Sequence, residues 1–600
     1  MAEETNSLLI ITDDRRRLAA ANSEGEADEE QEVPLHMTES STGSRSILML
    51  SAGLFLGAAC IAVAITAAVA SSHHSALVVT HRAGSTSELF PISDGFVKAA
   101  SKFTSTVKQE VGSFFWTKKE EASVSWFVST QDLGKRLAEQ EPIAWCSDMS
   151  CVNSTQEKES CEIIDVDDEV RYQEILGIGT SLEAATAYNM AMLNKSMLQS
   201  VIDSLVDPDD GLGFNLLRVA IGTSDFTPLP FYSYADGEDS SLDKFSIHRD
   251  EEFVLPMILA ALNRGRKWAG EVFLGANAAE SVDGPLIFAS PWSPPAWMKS
   301  SGKLTGGALM PEFHQLYAEY LVKFIKAYEQ KGVPIYALTV ENEPLAFAVN
   351  YPTMRLEAKD EADIVKRLVP LFAAENLKTR IWIFDHNFVD WWYPREILDD
   401  KEAAKRVDGV AFHGYRGDAS SMTSMHDAQP DKRIIFSEGS KFGVDGAVDI
   451  VRIFQNWAST YMAWVTMLDT SLRPNSGPFH AHAPMLTLHR DTLKVDYNFE
   501  YYMYGQFSKF IRRGAVRIQS RTNWKNSLVK DDLPHVAFLN SPSAHGSDNG
   551  EALVLVVVNV HDRPRKFRLR YKGWITHEVK LPPESVSTFR WHHPTVEVPN

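Results

Sequence analysis

"VPIYALTVENEPLAF", Val333 to Phe347, runs from apolar residues straight into Glu341, Asn342 and Glu343. Burying a lone charge costs several kcal/mol, and polar groups at such a place need partners. Either the chain turns back to water there, as Asn-Glu-Pro stretches often do, or one glutamate does chemistry. The flanking sequence repeats the pattern. Between about Tyr172 and Leu468 stand "YQEILGIG", "GFNLLRVA", "PLIFASPW", "PIYALTVEN", "RIWIFDHN", "VDGVAFHGY", "KRIIFSEGS" and "YMAWVTML". Amphipathic segments separate them. In "FHQLYAEYLVKFIKAYEQ" Leu316, Tyr320, Phe324 and Tyr328 share one helical face. Eight β-like runs alternating with helices predict a (β/α)8 barrel. The stretch exceeds the usual ~250 residues of that fold, and inserts such as "RGRKWAGEVFLGANAAESVDG" account for the excess.

In such barrels the active site lies at the C-terminal ends of the strands. Run two ends at Arg218, with Asp225 following; run three ends in "PWSPPAWM", with Trp292. Run four ends in Asn342 and Glu343, run six in His413 and Tyr415, run seven in Glu438. Carboxylates thus project from strands four and seven, nearly opposite each other. Two carboxylates flanking a cleft are the apparatus of glycoside hydrolysis. One protonates the leaving oxygen, and the other attacks the anomeric carbon or activates water. A separation of about 5–5.5 Å gives retention and about 6.5–9.5 Å gives inversion. The chemistry calls for no cofactor or metal. "HAH" at His480–His482 has metal-like spacing but no third ligand, "GDASSMTSM" lacks a nucleophile-elbow context, and no phosphate-binding glycine loop is present.

Composition agrees with a globular enzyme: 600 residues, 44% hydrophobic and 10% aromatic, including 14 tryptophans. A net charge of −20 with no basic stripe excludes a nucleic-acid partner, and a pI near 5.4 suits an acidic compartment. Residues 1–46 are polar and acidic, a composition that builds no core. Residues 47–70, "ILMLSAGLFLGAACIAVAITAAVA", carry no charge and are long enough for a membrane-spanning helix. They begin too far from the N-terminus, and run too long, for a cleaved signal peptide. Arg45 and Arg15–Arg17 precede the span and the first arginine beyond it is Arg82, which predicts a cytoplasmic N-terminus. Sequons at Asn153 and Asn194 fall on the other side. "ETNSLL", Glu4 to Leu9, resembles the acidic dileucine signals that sorting adaptors read on endosomal and lysosomal proteins. Residues 71–122 form a stalk in which Phe96, Ala100, Phe103, Val107, Val111 and Phe114 recur at helical spacing. Cys146, Cys151 and Cys161 lie in a polar insert, so at most one disulfide forms among them and one thiol remains; the pairing is open.

"LLRVAIGTSDFT", "YSYAD", "ASPWSPPAWMKSSG", "TVENEP", "VAFHGY", "FSEGS" and "YYMYGQFSKFI" form an ordered set. From about Val124 to Trp591 the chain resembles the glucosylceramidase-like family 30 of glycoside hydrolases. The resemblance implies a retaining enzyme built from a (β/α)8 barrel and a β-sandwich made from both ends of the barrel sequence. The barrel is then 172–505 and the sandwich 123–171 with 506–600. "VSWFVSTQDLGKRL" supplies N-terminal sandwich strands, and "HVAFLNSP", "EALVLVVVNVHD", "RKFRLRYK", "HEVKLPP" and "VSTFRW" supply the C-terminal ones. It further implies Glu343 as acid/base and Glu438 as nucleophile, with Glu341 a neighbour. Arg218 holds Glu438 ionised with help from Tyr415, Asn342 bonds the sugar 2-hydroxyl, and Trp292 and His413 wall the sugar site. On this expectation the acid needs a raised pKa while the nucleophile stays ionised.

Two departures touch sugar recognition. Ala184 stands at the family's acidic position after the first strand, with Glu183 one place early. After strand eight, where the family has a Trp-Asn pair, this chain offers Trp464, then Met467, Leu468 and Asp469. Three functions follow: a membrane-anchored β-glucosidase for glucosylceramide-type lipids of endosomes or lysosomes, the same chemistry on a β-glucan or β-xyloside, or a membrane-bound glycan-binding protein with a dead barrel. The intact glutamate pair argues against the last. A type II orientation predicts that the domain beyond residue 122 survives external protease in sealed microsomes and is digested once detergent is added; digestion without detergent would reverse the topology.

Overall fold

The computed structural model describes residues 76–79, 88–91, 123–146, 162–268, 284–477, 484–522, 533–541 and 551–593. The expected acidic tail, membrane span, dileucine signal and stalk helix lie outside them, as do Asn153, Cys151, Cys161 and His480–His482. Among the described residues no helix is long and apolar enough to cross a membrane. The chain divides into two units, Met1–Lys119 and Glu120–Asn600. The first contains an antiparallel pair, Ala76–Val79 with Glu88–Pro91.

The second unit is built on eight parallel strands: β1 (Gly177–Ser181), β2 (Leu216–Ile221), β3 (Leu286–Pro291), β4 (Ala337–Thr339), β5 (Arg380–Asn387), β6 (Val407–His413), β7 (Arg433–Glu438) and β8 (Thr460–Ala463). From β1 to β7 each strand pairs with the next in chain order, and β8 pairs with β1. The ring closes where Gly439 N–H donates to Met462 O at 3.0 Å and Gly439 bridges Ala463. The strands β2, β3 and β6 are almost wholly buried, because they are covered on one face by helices and on the other by each other. The helix His314–Gln330 buries Tyr320, Phe324 and Tyr328 as its spacing predicts, and also Tyr317 and Leu321; Leu316 is half-buried.

Two of the eight runs are split by the structure. "YQEILGIG" begins in the end of a sandwich strand, Glu162–Glu174, and only its Gly-Ile-Gly belongs to β1. "YMAWVTML" ends β8 at Ala463, and Met467–Asp469 joins a small separate sheet with Leu486–Leu488 and Val495–Tyr497. Both runs are continuous in apolar character, so periodicity alone does not mark the breaks.

The barrel interior is layered by the period-two pleat. Leu216, Phe288, Ala337, Trp382, Ala411, Ile435 and Met462 form an apolar plug. Two residues further along their strands stand Arg218, Ser290, Thr339, His413 and Ser437, all fully buried. Strand β5 breaks the rule by one residue: its pairing with β6 slips between Phe384 and His386, leaving Asp385 as the extra residue of a bulge. Phe384 and Asp385 have φ of 80° and 50°. The bulge turns Asp385 into the polar layer in place of Phe384, a re-aiming that bulges commonly perform.

A ten-stranded antiparallel-rich sheet packs its own core from both ends of the unit. The N-terminal strands Ser123–Thr130, Ala138–Cys146 and Glu162–Glu174 interleave with Val516–Thr522 and the strands from His535 to Trp591. Of "VSWFVSTQDLGKRL" only the first part is strand; Gln131–Arg136 is a turn. Cys146 is disulfide-bonded, its partner outside the described residues. Asn194 is exposed and caps the helix Lys195–Val206 by accepting from Met197 N–H at 3.0 Å.

Gly179 is required by close approach: a Cβ there falls 1.6 Å from Leu216 O, the neighbouring strand's backbone. Gly179→Ala must separate β1 from β2, at a cost above the ~1–3 kcal/mol of ordinary overpacking. Thermal unfolding should show a lowered midpoint or loss of folded protein.

Candidate active site

The polar layer is organised by one arginine. Arg218, in the middle of β2, is fully buried. Its Nη1 donates to Glu438 Oε2, its Nη2 to Asn342 Oδ1 at 2.7 Å and Asp385 Oδ2 at 2.9 Å, and its Nε to Ser290 Oγ at 3.2 Å. Trp292 stacks on Trp464 at 5.3 Å, and the guanidinium carbon lies 4.9 Å and 5.6 Å from their ring centroids. Cation–π attraction thus adds to the hydrogen bonds that fix its plane. Burial alone disfavours the charge on Arg218, but Asp385 and Glu438 outweigh it and raise its pKa.

Asp385 shares the centre. Its Oδ2 also accepts from Ser290 and Thr339 hydroxyls, each at 2.8 Å, and its Oδ1 from Ser437. Its Oδ1 lies 3.0 Å from His413 Nε2. Burial disfavours its charge, but Arg218 and His413 hold the carboxyl well below the usual range.

His413 links the two glutamates. Its Nδ1 is 3.0 Å from Glu343 Oε1 and 3.8 Å from Glu438 Oε1. Those two oxygens therefore lie no farther apart than the two distances laid end to end, which admits the retaining spacing of about 5–5.5 Å and little of the inverting range of about 6.5–9.5 Å. Burial pushes the imidazole toward neutrality, but Glu438, Asp385 and Glu343 outweigh it and raise its pKa to about 10. Glu343 itself sits at φ 55°, with its N–H on Asp385 O at 3.0 Å. Its Oε1 also faces Asn387 Nδ2 at 3.3 Å and His386 Nδ1 at 3.6 Å. Burial raises its pKa, yet the hydrogen bonds and charges of His386 and His413 prevail and hold it below the ordinary value. The sequence-based expectation of a raised value is thus reversed, because two imidazoles surround the carboxyl. Tyr415 donates to Glu438 Oε1 at 2.7 Å. Although Tyr415 is 44% exposed, its hydroxyl is withdrawn against Glu438, and desolvation there, then the charge of Glu438, pushes the phenol well above the ordinary range, so it stays a donor.

A cleft of about 780 Å³ opens above these groups. Of the eight expected site residues, Trp292, Asn342, Glu343, Tyr415, Glu438 and Trp464 line it. Arg218 and His413 lie buried beneath. Glu341 is fully buried, with its Oε2 3.4 Å from the Tyr317 hydroxyl, and does not line the cleft. Nor do the departing residues. Glu183 accepts from Thr186 N–H and Ser181 Oγ, capping a helix, and burial raises its carboxyl to about 7. Ala184 and Met467 are in the core, and Asp469 pairs with Arg490 at 2.8 Å. In their place Asp225, Tyr351 and Asn475 face the cleft.

Asp385, His386, Asn387 and Glu500 are site residues that the sequence reading did not single out. The first three end the run "RIWIFDHN", and three consecutive polar residues at a barrel strand's C-terminal end were the available signal. Glu500 lies on a helix beyond the barrel strands and had none.

A parallel eight-stranded barrel whose mouth holds two carboxyls joined through one imidazole is the frame of a glycoside hydrolase. Residues 175–511 match the glycosyl hydrolase family 30 TIM-barrel domain and residues 514–589 the family 30 beta sandwich domain. The chain belongs to glycosyl hydrolase family 30. It is similar to an endo-1,6-beta-D-glucanase of Neurospora crassa, 30% identical over 64% of this chain and 79% of the relative. It is also similar to the lysosomal acid glucosylceramidase of Mus musculus, 27% identical over 70% of this chain and 82% of the relative. The solved structure of an endo-beta1,6-glucanase shares the fold, with a TM-score of 0.66 at 24% identity, covering 78% of this chain and 99% of that one.

Removing the His413 cation should free Glu343 to follow its burial. In His413→Ala the Glu343 carboxyl, followed by infrared difference spectroscopy with a Glu343→Gln control, should titrate at higher pH than in the parent.

Proposed function

We propose that the chain is a retaining β-glucosidase working by double displacement, with Glu438 as nucleophile and Glu343 as acid/base. The observation that carries this reading is the single imidazole within reach of both carboxyls. Arg218 and Tyr415 each donate to one Glu438 oxygen, which fixes and aims the carboxyl. The acid's proton is held on the neighbouring pair: His413 Nδ1 carries it, 3.0 Å from Glu343 Oε1. Passing it to Glu343 leaves His413 neutral and still bonded to Asp385. Glu343 then protonates the leaving oxygen as Glu438 attacks the anomeric carbon. In the second half Glu343 takes a proton from water, which displaces Glu438 and releases the sugar. Asn342, held by Arg218, is set to meet the sugar 2-hydroxyl, and the Trp292–Trp464 pair walls the ring.

The substrate favoured is a glucosylceramide-type lipid. Among the described residues seven large apolar side chains are exposed, and six of them follow barrel strands at the catalytic face. These are Leu229 after β2, Phe347 and Val349 after β4, Val389 and Trp392 after β5, and Tyr415 after β6. Phe347 is 68% exposed and also lines the cleft. An apolar rim of this kind suits an alkyl-bearing aglycone. A tether through residues 47–70 would keep the site near such lipids and raise their effective concentration. The second reading is a β-glucan or β-xyloside, favoured by the loss of the family's acidic residue at Ala184 and by the glucanase relatives.

A 2-deoxy-2-fluoro-β-glucosyl inactivator should label Glu438, located by mass spectrometry, and Glu438→Gln should abolish both label and turnover. Turnover at the parent's rate in Glu438→Gln would refute the mechanism. In a panel of aryl β-glycosides and short-chain glucosylceramide, a much better non-glucoside would overturn the glucose assignment.

A further inference from the structure

The reaction uses two of the carboxyls that line the cleft, and Asp225 borders the same floor. Glu500 is another, and it has no part in the chemistry. It stands in the first turn of the helix Phe499–Ser508, outside the barrel strands. Its Oε1 accepts the Gly443 N–H at 3.2 Å, at the start of the helix that follows β7. Among the described residues no cation and no side-chain donor meets its other oxygen. Ser440 and Phe442, on the loop leading from Glu438 to that helix, line the cleft beside it with Tyr504. The Tyr504 hydroxyl is spent on the same loop, donating to Lys441 O at 3.0 Å and accepting from Lys441 N–H at 3.4 Å. The loop that carries the nucleophile is thus tied to Glu500's helix at two points, which fixes the carboxyl relative to Glu438.

One pyranose ring fills only a fraction of about 780 Å³. A half-buried acceptor turned to ligand space holds water until a ligand displaces it, and the ligand must then supply a donor in the water's place. An alkyl chain laid against it would leave it dry, whereas a hydroxyl or amide N–H would satisfy it. Burial also pushes the Glu500 carboxyl upward, in keeping with its withdrawn position. We propose that Glu500, with Ser440 and Phe442, forms a second subsite that takes hydrogen bonds from donors on the substrate beyond the cleaved sugar. Two sources carry such donors: the hydroxyls of a further sugar, or the hydroxyl and amide N–H of a ceramide. The assignment deepens the glycosidase reading and rests on it for the position of the cleaved sugar.

The test is binding without turnover. The full chain carrying Glu438→Gln, in detergent, is titrated by calorimetry with methyl β-glucoside, methyl β-gentiobioside and a short-chain glucosylceramide. Glu500→Gln is then added; it keeps an acceptor for Gly443 N–H and removes the charge. Glu500→Leu removes both, and circular dichroism checks each fold. The expected result is a loss of affinity for the gentiobioside or the lipid at least about tenfold beyond the loss for methyl β-glucoside. The ligand that shows the excess names the source. Equal losses for all three, no loss for any, or no binding of any ligand to the parent overturns the subsite and leaves Glu500 a helix cap. The glycosidase reading stands or falls separately, on covalent labelling of Glu438, which needs no second subsite.

Discussion

Arg218 and Asp385 meet inside the barrel with no exposure to water. A buried pair of this kind is costly to assemble, and removing one partner leaves the other charge stranded at about 3–5 kcal/mol. Here the pair is over-determined. Three hydroxyls, from Ser290, Thr339 and Ser437, fill the remaining acceptor positions of Asp385. Stacked indoles cover the guanidinium. Each group at the mouth is then placed by what the pair has left to give. Arg218 reaches Glu438 and Asn342, and Asp385 holds His413, which reaches Glu343.

The network sets three carboxyls against two cations. Asp385, Glu343 and Glu438 are met by Arg218 and a protonated His413, while burial and the two glutamates push Asp225 toward its neutral form. The lowered pKa of Glu343 is therefore a property of its two imidazole neighbours. On the proposed mechanism its proton is one hydrogen bond away on His413, and covalent capture of Glu438 would remove the charge that contributes most to keeping it there. A carboxyl can thus serve as an acid without itself being an unusually weak acid, provided its proton donor is fixed beside it.

Much of this was legible from the chain. The alternation of apolar runs with helical segments gave the barrel, because a pleated strand and a covering helix impose periods of two and 3.6. The polar residues terminating runs four, six and seven gave Asn342, Glu343, His413, Tyr415 and Glu438, because strands that fill a core can turn polar only where the core ends; Arg218 was legible as the one charge inside an apolar run. Run five ended the same way, but its polar residues became meaningful only through the bulge that turns Asp385 inward. The departures at Ala184 and Met467 were visible, yet the structure places both outside the cleft, which Asp225, Tyr351 and Asn475 line instead.

The sequence by itself determined the barrel, the family and the two glutamates, since these rest on local periodicity and on motifs within a few residues of one another. Tertiary structure alone decided the rest. Arg218 and Asp385 are 167 positions apart. The charge of Glu343 depends on imidazoles from two other strands, and Glu500 enters the cleft on a helix beyond the last one. Such contacts follow from how the strands close into a ring, and electrostatic coupling acts through distance in space, which residue spacing along the chain does not encode.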